Sequence, residues 1–300
     1  MSEQTNTEYE KYYVPAESKL PFIGSIGLLF VAYGAGNMVN GNYPEAYALY
    51  LGIGILIYML STWWSSTIKE SMDGLYSAQM SRSFRQGMMW FITSEVMFFF
   101  AFFGALFYVR ALVIPWLGGD GNNLETHNHF FSDFVPAWPM TETPSEFVPH
   151  GAEQAAQPWK LVGLGLPAIN TAILLFSSFT LTIAHHALIE KNRSTLILFT
   201  AITAALGVIF LGLQTYEYVH AYNDLNLKLS SGIYGSTFYM LTGFHGMHVF
   251  IGTIFLIILT LRTAKGHFTP QDHFAYEAGA WYWHFVDVVW VFLFIFVYLI

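Results

Sequence analysis

The sequence has no cysteine. That absence excludes disulfides, thiolate zinc sites, iron–sulfur clusters and any copper centre built on thiolate. Charge is scarce too. Charged residues make up 11% of the chain, against roughly 25% in a soluble domain. Too few polar side chains remain to cover a surface facing water, so lipid is the expected solvent. The net charge of −8 leaves no basic face for nucleic acid. The first apolar run begins near Leu20, after a polar start holding Glu3, Glu8, Glu10 and Glu17. A secretory signal instead has a basic start and a short apolar core, so the first helix is expected to stay in the mature protein. There is no nucleotide-binding loop, no HExxH and no internal repeat.

Hydrophobic residues, by contrast, make up 54%. A helix crossing a bilayer needs about 20 of them in a row. Seven such runs occur: Leu20–Val39, Ala46–Trp64, Gly87–Val109, Leu161–Ile183, Thr195–Tyr218, Ile233–Leu261 and Ala278–Ile300. Backbone amides in hydrocarbon have no water to bond, so each run is expected to be helix. A membrane β-barrel would alternate in segments of roughly ten residues, and these runs are continuous. The fold class predicted is therefore all-α and polytopic. Gly24, Gly27, Gly34 and Gly36 in the first run suit close helix packing.

The loops set the orientation. With the N-terminus inside, inner segments hold Lys11, Lys19, Lys69, Arg82, Arg85, Lys191, Arg193, Arg262 and Lys265, and outer ones only Arg110, Lys160 and Lys228. The positive-inside rule then predicts a cytoplasmic N-terminus and a C-terminus on the far side. The outer loop at 110–160 is long, acidic and rich in proline, with Trp116, Trp138 and Trp159. It reads as an ordered cap or as a solvated loop. Between Ala111 and Trp159 it carries no Lys or Arg, which suits steering of a basic protein partner.

Glu95 stands in the middle of an apolar run. An ionised carboxylate there costs several kcal/mol, so it is expected to pair or to stay protonated. A role in proton handling and a hydrogen bond to a neighbouring helix are both open. His185, His186, His245, His248 and His284, the last with Asp287, lie toward helix ends. His245 and His248 share one helix face by their spacing, as do His284 and Asp287. Such pairs suit a metal or haem, or a buried polar network between helices. Glu217 and Glu277 are expected near membrane surfaces within reach of water. From these residues alone, a transporter remains open.

Longer motifs carry a resemblance. They are Trp63-Trp64 with Lys69-Glu-Ser71, Phe91-Ile-Thr-Ser-Glu95, Ala184-His-His186, Gln214 through Tyr218, Thr242-Gly-Phe-His-Gly-Met-His248 and Trp281-Tyr-Trp-His-Phe-Val-Asp-Val-Val-Trp290. Over most of 60–110 and 160–300 the chain resembles subunit III of the haem–copper cytochrome c oxidases. The resemblance implies seven helices, two plus five around a lipid-filled cleft. It implies a core subunit with no haem, copper or other metal of its own, beside subunits I and II, which hold haem a and copper. The family supports proton uptake, and cytochrome c feeds the complex. Glu95 matches the family's buried, carbodiimide-reactive carboxyl. Trp63, Trp64, Glu70, Arg262, Lys265 and His267 match its phospholipid contacts, while His185, His186, Glu217, His245, His248, His284 and Asp287 are expected to form a structural polar network.

The chain departs from the family pattern in two places. Met72 through Ser77 replace a segment with histidines in animal members, and the acidic loop is longer than theirs, which favours a bacterial cytoplasmic membrane. The organisation expected is a cytoplasmic segment at 1–19, a two-helix unit at 20–64, an inner loop at 65–86 and a five-helix bundle at 87–300. Subunit III of a quinol oxidase is the nearest alternative. Such relatives commonly lack the first two helices, so the runs at 20–39 and 46–64 favour the cytochrome c class.

Overall fold

The computed structural model describes residues 12–140 and 165–299. The residues at 141–164, with Glu142, Glu146 and Glu153 of the long acidic loop, lie outside them. The described residues hold no strand. Their helices are α1 (Leu20–Val39), α2 (Tyr43–Met72), α3 (Ala78–Tyr108), α4 (Ile114–Leu117), α5 (Leu124–Phe130), α6 (Leu166–Ile189), α7 (Arg193–Asn223), α8 (Gly232–Ala264) and α9 (Phe274–Leu293). A π-helical turn, Val109–Val113, joins α3 to α4, so that one span runs Ala78–Leu117. Pro115 follows, one residue after Ile114 begins α4, and its missing N–H breaks the regular ladder there. A second π-helical segment, Phe294–Leu299, extends α9. Among the described residues, seven helical spans are long and apolar enough to cross a membrane.

Several helices outrun the hydropathy that predicted them. α2 continues past Trp64 to Met72 and α3 begins at Ala78, ahead of Gly87, so the inner loop expected at 65–86 shrinks to 73–77. Apolar runs mark only the part of a helix in hydrocarbon. The ladder continues beyond it, here with Ser65 and Thr67 donating back to the carbonyls of Ser61 and Trp63. Gly74, at φ +70, follows the end of α2.

The chain divides into two compact units, 1–86 and 87–300. In the first, α1 and α2 form a close hairpin. A Cβ on Gly34 would overlap the Leu49 backbone nitrogen, and one on Gly52 would stand 2.6 Å from Val31 N and 2.8 Å from Gly27 O. Gly24 and Gly27 also lie in the seam, against Met59 and Leu56. Gly36 does not: nothing lies within 4 Å of its missing Cβ. A helix has several faces, and Gly36 sits on one that α2 does not cover.

In the second unit α9 is the most enclosed helix, with 56% of its apolar window buried. Trp283 and Trp290 are fully buried on it, among Phe210 of α7, Phe238 of α8 and Leu174 and Leu181 of α6. Between helices in lipid the hydrophobic effect supplies little, so packing and hydrogen bonds hold them. Trp283 Nε1 donates to Ser177 Oγ at 2.9 Å and Trp290 Nε1 to Thr171 Oγ1 at 2.9 Å. Hydroxyls join Thr180 to Thr203 and Thr200 to Tyr276, each at 2.8 Å. α3 meets α8 and α9 through phenylalanine rings: Phe98 with Phe244 at 5.0 Å, Phe99 with Phe285 at 6.2 Å and Phe103 with Phe296 at 6.2 Å.

Candidate functional site: a carboxyl–imidazole pair in the second unit

Glu95 of α3 meets His248 of α8. Glu95 Oε2 lies 2.9 Å from His248 Nε2, and the side chains are 22% and 8% exposed. The other ring nitrogen, Nδ1, lies 2.7 Å from the Phe244 carbonyl oxygen. Rings of Phe98, Phe99 and Tyr282 close around the imidazole at 6.1, 5.1 and 6.4 Å.

This geometry counts protons. A carbonyl oxygen only accepts, so Nδ1 carries a hydrogen and donates it to Phe244. Nε2 then has two ways to bond Glu95. It is bare and accepts from a carboxylic acid, or it is protonated and donates to a carboxylate. Either way one proton is held between the two side chains. The rings of Phe98, Phe99 and Tyr282 shield the imidazole, and the lower local dielectric there strengthens its electrostatic contacts.

The histidines predicted to share a face part company. His248 turns to α3. His245, fully buried, turns to α9, where Nε2 donates to the Val286 carbonyl at 3.2 Å and the ring tilts over Trp290 at 5.0 Å. Three residues turn a helix by about 300°, so two such rings diverge enough to serve different neighbours. His284 Nδ1 lies 2.5 Å from Ser178 Oγ, beside the buried Asp287 carboxyl. His185 packs against the rings of His273 and Tyr276 at 5.7 and 5.8 Å, and His186 is exposed. No three His, Cys, Asp or Glu converge as metal ligands among the described residues.

Glu217 departs from expectation. It is not within reach of water but 2% exposed. α7 runs on to Asn223, which sets Glu217 about 9 Å inside the helix end. The Tyr298 hydroxyl interacts with both Gln214 and Glu217, though none of these contacts has the alignment of an ordinary hydrogen bond. Sequence reasoning also missed Asn170, fully buried on α6.

The residues matched to lipid contact fall on both units. On α2, Trp63 is 53% exposed, Trp64 is half-buried and Glu70 accepts from the Tyr76 hydroxyl at 2.8 Å. In the second unit Arg262, Lys265 and His267 sit at the end of α8. The Arg262 guanidinium lies over the Phe268 ring at 4.5 Å. Arg262 Nε and His267 Nδ1 are buried without a hydrogen-bond partner. Burial, and then the nearby Arg262 and Lys265 cations, hold His267 below its ordinary value.

The family model described as "Cytochrome c oxidase subunit III" matches residues 10–119 and 127–300. The chain belongs to the cytochrome c oxidase subunit III family. Relatives named "Cytochrome c oxidase subunit 3" are similar along nearly their whole length. That of Squalus acanthias is 37% identical over 288 residues, covering 96% of each chain. That of Arabidopsis thaliana is 36% identical over 293 residues, 97% of each. That of Felis catus is 37% identical over 299 residues, 99% of this chain and 98% of the relative. As a subunit III, the chain is a multi-pass membrane protein and one subunit of a haem–copper oxidase. Residues 120–126 of the outer loop fall outside the family match.

Proposed function

We propose that the chain is the non-redox core subunit of an aa3-type cytochrome c oxidase in a bacterial cytoplasmic membrane. Its N-terminus lies on the cytoplasmic side, as the Lys and Arg distribution suggests. Subunits I and II hold haem a and copper, reduce oxygen with electrons from cytochrome c and pump protons. This chain supports proton uptake, stability and assembly of that complex.

The Glu95–His248 pair carries the reading. A carboxyl and an imidazole sharing one proton in a water-poor, aromatic site form a group that can take up and release it. The hydroxyl and indole contacts across α6, α7 and α9, with His185, His245, His284, Asp287 and Glu217, keep the surrounding helices in place, while His186 faces outward. Purification of the native assembly tests the assignment. Companion chains, haem a absorbance and cytochrome c oxidation are expected in one complex. A chain purified alone, or carrying its own pigment, would sink it.

Phospholipid is the second ligand of this reading. Buried, unpartnered donors on Arg262 and His267 beside Lys265 suit a phosphate. Trp63, Trp64 and Glu70 offer an aromatic and acidic face to a lipid on α2. Because cations oppose proton uptake at His267, a bound phosphate offsets that opposition, and by linkage binds better once His267 is charged. Phosphatidylglycerol retained by the purified complex is therefore expected to rise as the pH falls through and below 6.5, the ordinary histidine value from which His267 is lowered. His267→Gln removes the rise, and Arg262→Gln lowers retention at every pH. Retention that is flat with pH in the unsubstituted complex would contradict the proposed site.

A further inference from the structure

A pocket of about 500 Å³ lies where the third span meets its loop, remote in sequence from the lipid-contact residues above. Arg110, Ile114, Pro115, Asp120, Pro136 and Trp138 line it. Its walls are fixed by close contacts. A Cβ on Gly118 would stand 2.5 Å from Pro136 Cγ, and Gly119 adopts φ +89 against His127. His127 Nδ1 in turn bonds the Leu117 carbonyl at 2.9 Å.

The charges in it are unusual. Arg110 sits on the π-helical turn of a membrane span, with its guanidinium over the Trp138 ring at 5.2 Å. Asp120 lines the same pocket, yet neither belongs to any ion pair among the described residues. An Arg at the end of a membrane span faces the headgroup region, where phosphates can meet it. Here a cation and an anion share one pocket without meeting, and the space between them suits a molecule carrying both signs. Leu112 and Trp116, 54% and 48% exposed on the same segment, offer apolar surface for acyl chains.

We propose that this pocket binds the headgroup of a zwitterionic phospholipid with a primary ammonium, the phosphate on Arg110 and the ammonium on Asp120. A primary ammonium has N–H groups for the carboxylate, which a quaternary one lacks. Asp120 lies outside the part of the chain that matches the family model, so the site is a feature of this chain's own loop.

The test is native mass spectrometry of the delipidated oxidase complex with added phosphatidylethanolamine, phosphatidylglycerol or soluble phosphoethanolamine. Wild type is expected to bind one more phosphatidylethanolamine than Arg110→Ala, with at least tenfold tighter affinity at that step. Asp120→Asn, an exposed and isosteric change, is expected to weaken phosphatidylethanolamine binding while leaving phosphatidylglycerol binding as it was. Unaltered haem spectra and subunit content confirm that each variant is assembled. Equal phosphatidylethanolamine binding by wild type and both variants would overturn the site. A wild-type preference for phosphatidylglycerol would reduce it to a plain anion site and overturn the zwitterion. Displacement of the lipid by soluble phosphoethanolamine would overturn a membrane source.

Discussion

Gly34→Val is expected to split the α1–α2 hairpin. The backbone of Leu49 occupies the place where its Cβ would stand, so no side-chain rotation can make room. Overpacking costs about 1–3 kcal/mol where side chains yield, and a backbone obstacle places this change at or above the upper end. The thermal midpoint of the purified complex should fall by roughly 5–10 °C on that scale. Gly36→Val and Gly54→Val are the controls, since nothing lies within 4 Å of either missing Cβ. A midpoint for Gly34→Val equal to that of Gly36→Val would refute the close seam.

Glu95→Gln should separate proton handling from packing. The glutamine keeps the shape and can donate an N–H to the bare Nε2 of His248, while Nδ1 still serves Phe244. Structure is thus retained, but the proton shared by the pair is gone. Proton uptake by the complex is expected to slow on the order of tenfold, about 1.4 kcal/mol in barrier, with haem spectra unchanged. His248→Ala acts differently. It leaves the Glu95 carboxyl without its partner among phenylalanines, an unsatisfied polar group that costs about 1–3 kcal/mol. Stability should fall in that variant and hold in Glu95→Gln. Uptake that stays fast in Glu95→Gln would remove the proton role and leave the pair as a structural tie.

The spans were legible because hydrocarbon tolerates only continuous apolar helix, and the runs show it over their described residues, 161–164 and 300 lying outside these. Glu95 was legible because a lone acid in such a run is costly wherever it points. Its partner was not. His248 lies far along the chain, and a hydrogen bond to a neighbouring helix named no particular residue among several histidines. Spacing put His245 and His248 together, whereas their neighbours drew them apart. Glu217 misled because hydropathy falls before α7 ends; Asn223, where the helix stops, carries no apolar signal. The pocket at Arg110 rests on Gly118 and Gly119 folding a loop back onto Pro136 and Trp138, a closure that no periodicity announces. The bonds from Trp283 to Ser177 and from Trp290 to Thr171 had a fainter sign: each buried indole needs an acceptor, and α6 is rich in hydroxyls.

α3 leans on its neighbours through phenylalanine rings that meet edge to face or tilted, contacts that carry no hydrogen bond. Among the described residues from Gly87 to Tyr108, its one polar tie to another helix is the bond to His248. That tie exists only while its proton is present. Once the proton departs, a carboxylate oxygen confronts a bare ring nitrogen, two lone pairs nose to nose, and attraction turns to repulsion. The same hydrogen that the complex would borrow is therefore the latch that sets where this helix rests, so its loan and the helix's position rise and fall together.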